Sequence, residues 1–201
     1  DRTAARTLPW LLVAALCGVA PRTAPAQASA AAHAAIPLDV QHYGLDEGLS
    51  QNSVTAIVQD ATGFLWLGTQ DGLNRFDSQG FRVLRESIDE RAGLSSSSVD
   101  ALAVDARGRL WIGTNDRGLD RLDLHTGAHE ALGEAAAGHP TVLGIVHDGR
   151  GGAWLATPTG LSHLADGQRV ATPLLRGPAM AALRADREGG GGDVFGCQGD
   201  E

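Results

Sequence analysis

Lysine is absent from this sequence: all 16 basic residues are arginine. Cysteine is almost absent, with only Cys17 and Cys197. Since Cys17 falls in an N-terminal leader, the mature part has no second thiol with which to close a disulfide, and its stability must come from packing. Runs of like charge are missing too. The net charge of -8 is dispersed along the chain, which excludes the clustered arginines that a nucleic-acid backbone requires. Beyond the leader no apolar stretch is long enough to span a bilayer. There is no Gly-x-Ser-x-Gly, phosphate loop or dinucleotide fingerprint. The glycine run Gly189 to Gly192 lacks the Lys-Ser or Lys-Thr that would make it a phosphate site. Seven histidines are scattered, and only His125 and His129 stand four apart, around the Thr126-Gly127 turn rather than on a helix. No metal, cofactor or catalytic residue is therefore expected.

What is present is an ordinary globular composition, 43% hydrophobic and 20% charged, enriched in alanine, glycine and arginine as a GC-rich coding sequence would be. Arg2 and Arg6 precede an apolar run from Leu8 to Ala20, shorter than the roughly 20 residues of a membrane span. Ala24-Pro25-Ala26 and Ala26-Gln27-Ala28 offer small residues for signal peptidase. The expectation is a cleaved signal peptide over 1–28 and a periplasmic location. Leu16 before Cys17 is too bulky for a lipid-attachment site.

Self-comparison shows one pattern recurring three times. The first copy runs Leu49-Ser50-Gln51-Asn52-Ser53-Val54 to Asp60, then Gly63, Leu65-Trp66-Leu67-Gly68-Thr69, Asp71-Gly72-Leu73 and Arg75-Phe76-Asp77. The second has Leu94-Ser95, Val99, Asp105, Gly108, Leu110-Trp111-Ile112-Gly113-Thr114 and Gly118-Leu119. The third has Val142, Asp148, Gly151, Ala153-Trp154-Leu155-Ala156-Thr157 and Gly160-Leu161. Alternation of Val54, Ala56 and Val58 against Thr55, Ile57 and Gln59 is strand periodicity. Asp-x-x-Gly makes a tight turn, the carboxylate capping backbone amides and the glycine taking positive φ. Phe64 to Thr69, Leu73 to Asp77 and Gly80 to Leu84 follow as strands. The fourth strand is expected again at Ala128 to Leu132 and at Gln168 to Thr172. Four antiparallel strands per repeat define a propeller blade.

This pattern resembles the two-component regulator propeller repeat, over roughly residues 38 to 175. The resemblance implies an all-β fold, a β-propeller of four-stranded blades at about 49–84, 94–132 and 141–175, within a partial sensor domain at 36–201. It implies a periplasmic input module of a bacterial receptor, ahead of a membrane helix and an output domain, either a histidine kinase or a diguanylate cyclase. The expectation is an N-terminal piece of that receptor, with a membrane connection lying beyond residue 201 and a homodimeric parent. A degenerate fourth copy begins at 178–201, with Val194-Phe195-Gly196-Cys197 in place of Leu-Trp-x-Gly-Thr. Leu38 to Tyr43 reads as a fourth strand without its blade.

Trp66, Trp111 and Trp154 are expected to pack between blades. Asp60, Asp105 and Asp148, with Gly63, Gly108 and Gly151, are read as turn residues, because the spaced oxygen ligands of a calcium loop are missing. The candidate ligand contacts are Ser50, Gln51, Asn52, Ser95 and Ser96, in loops that would gather at one face. The same residues could instead satisfy backbone groups at strand entry. The expected partner is a small molecule or glycan, with no nucleic acid. The alternatives are a secreted propeller enzyme acting on polysaccharide and a non-catalytic protein scaffold.

Overall fold

A computed structural model describes residues 40–88 and 93–177, and the backbone of strands at 180–185 and 194–198. The leader, residues 36–39 and the glycine run at 189–192 lie outside the described residues. The architecture is almost entirely β. Three consecutive four-stranded antiparallel sheets each run in sequence order. Blade 1 comprises β1 (Val54–Gln59), β2 (Leu65–Thr69), β3 (Gly72–Phe76) and β4 (Phe81–Leu84). Blade 2 comprises β5 (Val99–Val104), β6 (Arg109–Thr114), β7 (Leu119–Asp123) and β8 (His129–Leu132). Blade 3 comprises β9 (Gly144–His147), β10 (Ala153–Thr157), β11 (Gly160–Leu164) and β12 (Thr172–Arg176). One short helix, α1 (Gly133–Ala137), links blades 2 and 3. β13 (Met180–Ala185) pairs with β14 (Val194–Gln198), so the sequence standing in for Leu-Trp-x-Gly-Thr is a strand. The first strands lie side by side, β5 between β1 and β9, with β13 against β9.

The core sits between successive sheets. Trp66 and Leu73 of blade 1 pack on Leu94, Val99, Leu110, Ile112 and Leu122. Trp111 and Leu119 of blade 2 pack on Val142, Ile145, Leu155 and Leu164, with Ala136 and Ala137 of α1. The glycine of the Trp-x-Gly-Thr segment makes this approach possible. A Cβ on Gly68 would stand 2.8 Å from Val99 Cγ1, and one on Gly113 2.8 Å from Val142 Cγ1. The first valine of each following blade thus rests in the space a side chain would fill. Thr55 adds a polar tie, its hydroxyl donating to the Val99 carbonyl at 2.6 Å.

Two expectations are corrected. The fourth strand of blade 3 is Thr172–Arg176, not Gln168 to Thr172. The preceding segment is occupied by contacts to blade 2 and α1: Arg169 donates to Glu130 at 2.7 Å and the Ala171 amide to the Ala135 carbonyl at 3.1 Å. The ladder consequently starts late, and Pro173, which has no N–H to give, sits at its register shift. The described part of Leu38 to Tyr43, residues 40–43, is not a strand. Tyr43 instead sets its ring edge-on to Phe76 at 4.8 Å and Phe81 at 6.1 Å.

Candidate functional site

The strand order puts two kinds of loop at one end of every blade: the entry to the first strand and the turn between second and third. The threonine closing Gly-Thr organises that turn each time. Thr69, Thr114 and Thr157 donate to the carbonyls of Gly72, Gly118 and Gly160 at 3.0, 2.9 and 3.2 Å. The candidate contacts lie in the entry loops beside these turns.

Ser50 donates its amide to Asn74 Oδ1 at 2.9 Å, accepts from Asn74 Nδ2 at 2.8 Å and shares a 2.7 Å hydrogen bond with the Thr69 hydroxyl. In blade 2 the same geometry is built with a carboxylate. Ser95 donates its amide and its hydroxyl to Asp120 at 2.8 and 2.7 Å. Asn74 and Asp120 are fully buried and stand at equivalent places on β3 and β7, two residues after the glycine of each Gly-Leu pair. His129 Nε2 approaches Asp120 at 3.2 Å from β8. Blade 3 has Ser162 at this position, and Gly138 stands where the entry serine would be, so the bond has no counterpart there. Sequence reasoning missed Asn74 and Asp120. The available signal was a polar residue recurring at a fixed place in an otherwise apolar strand.

Gln51 accepts from the Gln70 amide at 3.0 Å, Asn52 from the Leu45 amide at 3.2 Å, and Ser96 from the Ser98 amide at 3.1 Å. The candidate residues therefore share one end of blades 1 and 2, and each also holds backbone in place. Gln51 and Asn52 keep their NH2 donors uncommitted, since their hydrogen bonds use the carbonyl oxygens.

The aspartate turns lie at the opposite end. Asp60 Oδ1 accepts from the Thr62 amide at 2.9 Å, the Thr62 hydroxyl at 2.6 Å and the Phe64 amide at 3.1 Å, while Oδ2 takes the Trp66 indole N–H at 2.8 Å. Asp105 Oδ1 accepts the Arg107 and Arg109 amides at 2.9 and 3.0 Å. Its Oδ2 takes Arg109 Nε at 2.7 Å and the Trp111 indole at 3.0 Å. Asp148 accepts the Arg150 and Gly152 amides at 2.8 Å, but its second oxygen meets His163 Nε2 at 3.0 Å. Trp154 is accordingly half-buried, and its ring stacks on His163 at 4.3 Å. Burial pushes all three carboxyls up, but the hydrogen bonds outweigh it and hold each below its ordinary value. Gly63, Gly108 and Gly151 close these turns at φ of 95, 74 and 103°. His125 lies with its ring over Gly108 while His129 turns inward to Asp120, so the two histidines do not converge. Among the described residues no three His, Cys, Asp or Glu side chains gather as a metal site.

Blades 2 and 3 are tied across this end. Arg107 reaches Asp166 at 2.5 Å, and Arg109 reaches Asp166 at 3.2 Å and the Gly151 carbonyl at 2.8 Å.

Residues 48–71 and 93–116 match the two-component regulator propeller model. A stretch of 44 residues is 50% identical to a protein of Formosa agariphila named histidine kinase P4, covering 22% of this chain and 3% of that one. Two solved extracellular domains from B. thetaiotaomicron, each assigned to a hybrid two-component system, superpose on the fold. BT4673 does so with a TM-score of 0.58 at 22% identity, over 71% of this chain and 20% of that one. BT3049 does so with a TM-score of 0.51 at 20% identity, over 73% of this chain and 28% of that one. The chain thus spans only a small part of the length of each protein it matches. Entry loop, aspartate turn, Trp-x-Gly-Thr strand and family match coincide in the first two sheets, so the chain carries two-component regulator propeller repeats as successive blades of a β-propeller.

Proposed function

We propose that this chain is an extracytoplasmic ligand-binding module of a bacterial signal-transduction receptor whose output is a histidine kinase. The observation that carries the reading is the match of two consecutive blades to the two-component regulator repeat. Likeness over 44 residues to a protein named a histidine kinase supports that output over a diguanylate cyclase. The extracellular placement of the solved neighbours, and the leader sequence, support export to the periplasm.

The input face is the end carrying Ser50, Gln51, Asn52, Ser95 and Ser96. Blades bring entry loops together without changing the sheets beneath them, so a ligand binding several loops can favour one arrangement of neighbouring blades over another. Gln51 and Asn52 supply the donors of blade 1. The ligand is a small molecule or glycan able to accept them.

Alkaline phosphatase fused behind residue 177 in cells is expected to be active, since it works only after export; an inactive fusion would overturn the location. Reading the gene past codon 201 is expected to reveal a membrane helix and a kinase domain. Finding neither would sink the receptor reading.

A further inference from the structure

Two arginines whose side chains make no ion pair or hydrogen bond among the described residues, half-buried Arg75 and exposed Arg82, face the groove between blades 1 and 2. Arg75 on β3 and Arg82 on β4 stand directly opposite one another in the ladder. Both line a cavity of about 260 Å³ walled by Trp66 and Leu84 of blade 1 and by Leu122 and Leu124 of blade 2. The Arg75 guanidinium is carried 4.6 Å from the Phe64 ring and 6.0 Å from that of Trp66. Its Nε is buried with no hydrogen-bond partner. A second cavity of about 280 Å³, reaching Phe64 and His125, meets the same side chain.

Blade 2 fills the equivalent positions differently. There Arg121 stands opposite Glu130, and the two form an ion pair at 2.6 Å. Blade 1 places a second arginine where blade 2 has the glutamate. Like charges in directly opposed positions repel, and a buried N–H without an acceptor is costly. No carboxylate among the described residues contacts either guanidinium, although Asp77 attracts both at longer range and Asp123 lines the same cavity. Asp77 Oδ1 accepts the Gln79 and Gly80 amides, and Asp123 Oδ1 accepts those of His125 and Thr126. An anion bound between the two guanidiniums would remove both penalties, and their planar forks suit two oxygens on one centre.

We propose that Arg75 and Arg82 form an oxyanion site, whose ligand is a small organic carboxylate with an apolar body against Trp66, Leu122 and Leu124. The site goes beyond the input-face reading, because none of the input-face residues lines this groove.

The test is a titration of the intact chain with benzoate, in low-salt buffer, following thermal unfolding and tryptophan fluorescence. Benzoate at twentyfold its Kd is expected to raise Tm by about 3–6 °C. Benzyl alcohol, of similar shape but uncharged, is expected to have no effect. Arg82→Glu rebuilds the Arg–Glu pair of blade 2, and is expected to raise Tm without ligand while abolishing the benzoate response. Arg82→Gln reads the same loss of response should the charge reversal disturb folding. No benzoate shift in the parent chain, or a shift that survives both substitutions, would overturn the site. Equal protection by sulfate would overturn the organic carboxylate and leave an inorganic oxyanion in its place.

Discussion

Asp105 shows how much one side chain holds. Its two oxygens serve two backbone amides, one guanidinium and the Trp111 indole, all within 3.0 Å. Trp111→Ala should cost about 3–5 kcal/mol through the cavity it opens between blades. Trp111→Phe keeps an aromatic ring, smaller than the indole, but leaves an acceptor short, and should cost about 1–3 kcal/mol; urea unfolding of both variants shows how much of the loss is packing. The same carboxylates set the acid limit. Asp60, Asp105 and Asp148 are all held below their ordinary value of 3.8 in the folded chain. Because the folded form holds its protons less tightly than the unfolded one, this contribution is complete above that value and is lost as pH falls beneath it. The urea midpoint should therefore be steady from neutrality to about pH 5 and drop steeply below about pH 4. The turn caps were legible in the sequence, since an Asp-x-x-Gly turn is closed by groups within a few residues of one another; the bonds of the second oxygen to Trp66, Arg109, Trp111 and His163 were not read from it.

At the scale of the element, the entry loop is pinned by a buried polar partner on the third strand. Ser95→Ala removes one of two bonds from Ser95 to Asp120. It should cost about 1–3 kcal/mol and speed hydrogen exchange in residues 93–98 more than in β6; uniform acceleration would argue against a local pin. Asn74 and Asp120 were not legible. Their place in the repeat is fixed but their chemistry changes from amide to carboxylate, and the serines they hold lie 24 and 25 residues away. The displaced fourth strand of blade 3 escaped for a related reason. Alternation and a turn glycine are local signals, whereas Thr172–Arg176 is set by bonds from Arg169 to blade 2 and from Ala171 to α1.

At the scale of the whole molecule, stability is a matter of neighbouring blades. Arg107 and Arg109 both reach Asp166, yet their side chains are 56% and 14% exposed. Arg107→Ala should therefore change stability by less than about 1 kcal/mol. Arg109→Ala should cost about 1–3 kcal/mol, because the buried Asp105 and the Gly151 carbonyl both lose a donor; thermal melts of the two variants check the contrast. Gly113→Ala should cost about 1–3 kcal/mol by forcing Val142 away. The blade architecture itself was plain in the sequence, through tryptophans spaced by 45 and then 43 residues. The arginine pair was not, because Arg75 and Arg82 become neighbours only when β3 and β4 fold together.

The glycine that receives a valine belongs to one repeat, and the valine to the next. The first and second copies thus each carry a socket for the next, and the second and third each carry a plug for the one before. Tandem duplication of such a unit creates a junction that already fits on both sides, with no compensating mutation required. An array built this way can lengthen by copying alone, while the loops at its ends diverge freely.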